Sequence, residues 1–161
     1  MLIHSLPDTD GSRCTLTWEE SEQWLRATWR GFVDASEAMR GAENYLAHAG
    51  SFRCACLLND NRALEGPWFD TLDWLEQAWL PHALGLGLRY VAHVVQQDTG
   101  LDVLTQSPDK LAVSGLELQL FTQVAEAEDW LRARQLRQPA RPARYAVTEP
   151  KAARRGYQPQ S

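Results

Sequence analysis

This chain is poor in the features that usually announce a function. It holds three cysteines in 161 residues, Cys14, Cys54 and Cys56. So small and odd a number builds no disulfide framework and suits a reducing cytoplasm. No apolar run approaches the ~20 residues that a membrane-spanning helix needs. The opening MLIHSLPDTDG lacks the basic stretch and apolar core of a secretory signal. Together these absences predict a cytoplasmic chain with no membrane span.

Catalytic and cofactor motifs are missing as well. There is no Gly-x-Ser-x-Gly, no Walker sequence and no nucleophile with an evident base. Gly85 and Gly87 precede a strand instead of opening a helix, the reverse of what a phosphate cradle needs. His82 and His93 have no partner at ligand spacing, so no metal is expected. No cofactor is expected either.

The apolar content of 44% is ordinary for a globular protein, and the length suits one domain. The net charge of −5 hides an asymmetry. Residues 1–134 carry 10 Lys/Arg against 20 Asp/Glu, a net of −10, whereas residues 135–161 carry six against one, a net of +5. An acidic body repels nucleic acid. The basic segment 135–161, with Pro139, Pro142, Pro150 and Pro159, has too little apolar surface to order itself and is expected to be a disordered tail. The domain is therefore placed at 1–134.

Within it, residues 1–11 read as a loose start. Cys14, Leu16 and Trp18 alternate with polar neighbours, and a second such run spans 23–29, which together predict an antiparallel hairpin. Asp34-Ala-Ser-Glu37 is a capping box, and Ala38, Ala42, Tyr45, Leu46 and Ala49 follow at helical spacing up to Gly50, a fitting end. Residues 52–58 are nearly all apolar and read as a central strand, on which Cys54 and Cys56 share one face as small core residues. Pro67 fits a helix first turn, and Trp68, Leu72, Leu75 and Trp79 form a core stripe until Pro81 bends or breaks the helix. Residues 88–95 and 116–120 read as strands around an ambiguous stretch at 99–113. Val124, Ala127, Trp130 and Leu131 mark a closing helix. This order predicts an α/β fold, a mixed, largely parallel sheet with an N-terminal antiparallel hairpin and helices packed against it.

The candidate site follows from that topology. Asn59-Asp60-Asn61-Arg62 reads as a loop leaving the carboxyl end of a central strand, where ligands sit in open α/β sheets. Asp60 and Arg62 would bring a carboxylate and a guanidinium together, with Asp70 and Asp73 at the next helix start. Such acids suit cation binding or acid/base work, but Asn and Asp also cap turns, and acids at a helix start complement its dipole. Trp68 lies on the core stripe. Trp74 falls off it and either covers apolar surface or faces a partner.

Three fragments, Leu57–Arg62, Gly66–Pro81 and Gly87–His93, together with the element order, resemble the uncharacterised bacterial proteins grouped as STAS/SEC14-like, of SpoIIAA-like fold. The resemblance covers roughly residues 12–134. It implies a non-catalytic protein-interaction module, in bacterial signalling, with a protein partner. Anti-sigma-factor antagonists of this fold carry a regulated serine in an Asp-Ser-Ser-Gly-type motif, where this chain has Gly66-Pro-Trp-Phe-Asp70. SEC14-type lipid carriers share a related fold but are longer, and this chain lacks the extra helices that would close a lipid pocket. The second reading is a small apolar or lipid-like ligand between Trp68, Leu72, Leu84 and the sheet. An enzyme using Asp60, Arg62 and Asp70 is the third reading. A deep apolar cavity would favour a ligand, an exposed patch holding Trp74 a partner, and a strongly perturbed carboxylate beside Arg62 the enzyme.

Overall fold

Alternating side chains in the first half and helical spacing in the second build one mixed sheet with helices on both faces. The computed structural model describes residues 2–7, 13–69, 72–96 and 115–137, with the main chain alone at 2–7 and 13. Six strands lie in sequential order: β1 (Leu2–Pro7), β2 (Arg13–Glu19), β3 (Trp24–Gly31), β4 (Cys56–Leu64), β5 (Tyr90–Val94) and β6 (Glu117–Phe121). The pairs β1–β2 and β2–β3 are antiparallel, and β3 through β6 run parallel. The fold is α/β, as the element order predicts.

One face of the sheet carries Leu16, Leu25, Ala27, Trp29, Leu57 and Val91. Against it pack α1 (Ala35–Phe52) and the helical stretch in which a π-turn, Leu75–Trp79, runs into α2 (Leu80–Gly85). Among the described residues, the other face is covered only in its parallel half, where α3 (Val124–Gln135) buries Ala127 and Leu131 against Cys56, Leu58, Ala92 and Val94. Over the hairpin that face is polar, with Thr15, Thr17, Arg26, Thr28 and Arg30. An antiparallel pair tolerates one wet face, whereas inner parallel strands are covered on both.

Four readings need correction. The loose start is in fact an edge strand, Leu2–Pro7, with Leu6 opposite Cys14; its proline falls at the strand's end and on the sheet's edge, where a missing donor is tolerated. Helix α1 does not stop at Gly50 but runs to Phe52, ended by Arg53 in the left-handed conformation (φ 45°) with its N–H on Ala49 O at 3.0 Å. The central strand therefore starts at Cys56 and continues to Leu64, so Asn59–Arg62 is strand and not loop. Pairing on both sides, Asn59 with Ala27 and with His93, satisfies the main chain whatever the side-chain polarity.

The fourth correction is the helix at Pro67. Residues 66–69 form no helix, and helical structure begins only at Asp73. Pro81 does not break it: the π-turn precedes it, and Pro81 sits in the first turn of α2, where its absent N–H is tolerated. The ambiguous 99–113 stretch and nearly all of the basic tail lie outside the described residues.

Candidate functional site

Because β4 is a strand, its polar quartet is split by the pleat. Asn59 and Asn61 face the helices α1 and α2, and Asp60 and Arg62 face the opposite side. The predicted single site is thus two separate clusters, back to back. Asp70 lies outside the described residues, and Asp73 is exposed on the helical stretch.

On the helix-covered face, Asn59 is the hub of a buried network. It accepts from the Trp29 indole N–H (2.9 Å) and its amide nitrogen donates to Asn61 Oδ1 (3.1 Å) and contacts His93 Nδ1 (2.8 Å). An indole N–H can only donate, so Asn59 must present its oxygen to Trp29 and its nitrogen to His93. His93 Nδ1 is therefore the acceptor of this bond, which leaves a ring proton on Nε2. The ring is wholly buried and stacks on Trp68, centroids 5.4 Å apart.

Trp68 is held there by the chain on either side. Its main-chain N–H donates to Val33 O at 2.9 Å, and its φ of 57° is unusual for a bulky residue. Two residues earlier, a Cβ on Gly66 would lie 2.3 Å from Val33 O, so only glycine lets this segment approach. The indole meets Trp29 edge-on at 5.9 Å and Phe69 at 4.8 Å.

Between this aromatic cluster, α1 and the sheet is a cavity of about 60 Å³. Its walls include Ala42, Leu75, Trp79, Val91 and Leu118, with Asn59 and His93 as its amide and imidazole groups. Among the described residues no Asp, Glu, Lys or Arg lines it. Of its three tryptophans, Trp29 donates to Asn59 and Trp79 to Ala42 O at 2.9 Å, while Trp68 Nε1 is buried without a partner among the described residues. An unmet buried donor costs about 1–3 kcal/mol. Leu72 and Leu84, predicted to wall the pocket with Trp68, do not line it.

On the other face, Asp60 is clamped. Arg62 Nε and one terminal nitrogen reach its two oxygens at 2.9 Å each, and Arg26 adds a bond at 3.2 Å. Arg26 also lies 3.9 Å from Glu19 and 3.6 Å from Glu128 of α3. Burial alone would raise the Asp60 pKa, but hydrogen bonds from the Arg62 side chain and main chain and from Arg26 outweigh it and hold the carboxyl below its ordinary value. A carboxylate so held stays ionised at neutral pH, which suits an anchor for two guanidiniums and not a proton carrier. The groove above it, about 410 Å³, is open to solvent.

The remaining candidates are structural. Trp74 is half-buried and stacks on Phe69 at 6.0 Å. Cys14 and Cys56 are buried and desolvation pushes both thiols up to about 12, far from the reactive thiolate. Cys54 Sγ reaches Cys56 O at 2.8 Å. Among the described residues no group of three or more His, Cys, Asp or Glu is placed to hold a metal, and no helix is long and apolar enough to cross a membrane.

Sequence reasoning missed the Trp29–Asn59–His93 network. The available signal was the period of two in Cys56–Leu64, which puts two asparagines on one face between apolar residues. No family model matches the chain, and comparison with curated proteins and with solved structures likewise finds no match.

Proposed function

We propose that this chain is a non-catalytic binding domain whose site is the tryptophan-walled cavity beneath α1, and that its ligand is small and mainly apolar. The observation that carries the reading is the cavity itself: an uncharged chamber walled by aromatic and aliphatic side chains, with few polar groups converging on it. An apolar lining with a few converging polar groups is the usual chemistry of a small-molecule site, here at about 60 Å³, well below the usual pocket volume of about 300–1,000 Å³. Its size rules out a lipid chain, since even an engineered cavity of about 150 Å³ holds only benzene.

Two observations set this reading above a protein-interaction module. Trp74, the residue that would mark a partner surface, is stacked on Phe69. Among the described residues the large exposed apolar side chains are Phe32, just after β3, and Leu136, just after α3, far apart in the chain. The enzymatic reading has the weakest support, because Asp60 is tied in its ion pairs and faces away from the cavity. Membership of the STAS/SEC14-like group remains part of the proposal, supported by the hairpin entry and the parallel βαβ order.

The test is xenon, which enters dry apolar cavities. Under xenon pressure, methyl resonances of Ala42, Leu75, Val91 and Leu118 are expected to shift, while those of Ala127 and Leu131 stay in place. Shifts absent from the first group would overturn the proposal.

A further inference from the structure

On the sheet face that carries Asp60, away from the cavity, three neighbouring strands each place an arginine at the same end of the polar groove. Arg13 of β2 stands opposite Arg30 of β3 in the antiparallel register, and Arg62 of β4 adjoins Ala63, the parallel partner of Arg30. Arg30 and Arg62 line the groove together with Thr15, Thr17 and Thr28. We propose that this end of the groove is a second binding site, independent of the cavity, and that it takes the phosphoryl group of a small phosphorylated molecule.

The charges along the groove are unevenly shared. Glu19 and Glu128 gather around Arg26, at 3.9 and 3.6 Å. Arg26 comes four residues before Arg30 on β3, about 13 Å along the strand. Asp60 pairs with Thr28, midway between them, and its carboxylate is divided between Arg26 and Arg62. Arg30 is exposed, and its guanidinium has no acidic partner among the described residues. The three positive charges at the far end are thus balanced by one shared carboxylate. A register that sets like charges opposite each other is unfavourable on its own, and a doubly charged anion offsets the excess.

The donors suit that anion. Asp60 takes two of the five guanidinium N–H groups of Arg62, which leaves three for a ligand. The same contact fixes the guanidinium beforehand, so less side-chain freedom is lost on binding. Arginine stays charged at neutral pH, and its planar fork matches phosphoryl oxygens in a two-point contact. The groove, about 410 Å³, is within the range of small-molecule sites. The net charge of −10 over residues 1–134 repels an extended polyanion, which restricts the ligand to a small molecule.

Inorganic phosphate is the probe, titrated into the full chain labelled with ¹⁵N at arginine, with sodium chloride holding the ionic strength constant. The Nε–H signals of Arg30 and Arg62 are expected to shift along a saturating curve. Those of Arg132 and Arg134, held in ion pairs on α3, should stay in place. Arg30→Gln, at an exposed position, should weaken phosphate binding about tenfold or more, the scale of one hydrogen bond to a charged group. Acetate, with a single charge, should bind more weakly than phosphate. Shifts that rise without saturating, or undiminished phosphate binding by Arg30→Gln, would overturn the site. Acetate binding as tightly as phosphate would overturn the phosphoryl class.

Discussion

Asp60 shows how one side chain fixes two others on the open face. Its carboxylate takes a two-point contact from Arg62 and a third bond from Arg26, and its pKa lies below the ordinary 3.8 despite burial. A folded pKa below the unfolded one means that the unfolded chain binds more protons in the acid range. The contribution is then complete above about pH 4 and is lost as pH falls through the folded value. Asp60→Asn should therefore lower unfolding free energy at pH 7 by about 1–3 kcal/mol, the worth of hydrogen bonds to a charged group. Urea unfolding of both proteins at pH 7 and pH 3 checks it. The gap should narrow at pH 3, and an unchanged gap would show that the ion pair is not its source.

At this scale the sequence was half legible. Asp60 and Arg62 are two apart, so any extended backbone sets them on one face, and their pairing could be read directly. The partner of Asn59 could not. His93 comes 34 residues later and meets Asn59 only through the register of two parallel strands, Asn59 opposite His93. Trp68 was legible as a core residue but not as the wall of a chamber, because its placement depends on a left-handed main chain and on Val33.

At the scale of elements, local chemistry wrote the start of α1 more clearly than its end. The capping box of α1 forms as read, with Glu37 N–H donating to Asp34 Oδ1 at 2.9 Å and Asp34 N–H to Glu37 Oε2 at 3.1 Å. Its end was misplaced because Gly50 is a good terminator by type, yet Arg53 takes the left-handed position and lets the helix continue over Leu86. The polar run in β4 looked like a turn because sheet pairing on both sides is a tertiary effect, which overrides local propensity.

Two glycines separate packing from propensity within the helices. At Gly41 a Cβ would lie 2.3 Å from Trp29 Cη2, so Gly41→Ala must displace the ring that donates to Asn59. The expected cost is about 1–3 kcal/mol, enough to outweigh the helix propensity gained. At Gly85, the last residue of α2, a Cβ meets nothing within 4 Å and the backbone is not left-handed. Gly85→Ala should stabilise by about 0.5–1 kcal/mol. Thermal melting of the two variants should move in opposite directions. A lower melting point for both would mean that the space beside Gly85 is needed.

The whole molecule is two cores divided by one sheet. The larger lies under α1, the π-turn and α2 and contains the cavity; the smaller lies under α3. Among the described residues they share only the partly buried Trp18 and Phe52, which stack on each other at 4.6 Å. Helix α3 is held by Leu131 and Ala127, both fully buried, and by Arg132 on Glu22 at 2.8 Å. Leu131→Ala empties part of the smaller core and should cost about 2–5 kcal/mol, within the range for a buried leucine. The β4 and β5 residues that it touches, Cys56, Leu58, Ala92 and Val94, point away from the cavity. At a temperature where the variant remains folded, xenon should therefore still shift the Val91 and Leu118 methyls as in the unaltered protein. A new set of shifts near Ala127 is also expected, from the space left by the leucine. Loss of the Val91 and Leu118 response would mean that the sheet transmits strain between its faces, and that the cavity depends on both cores.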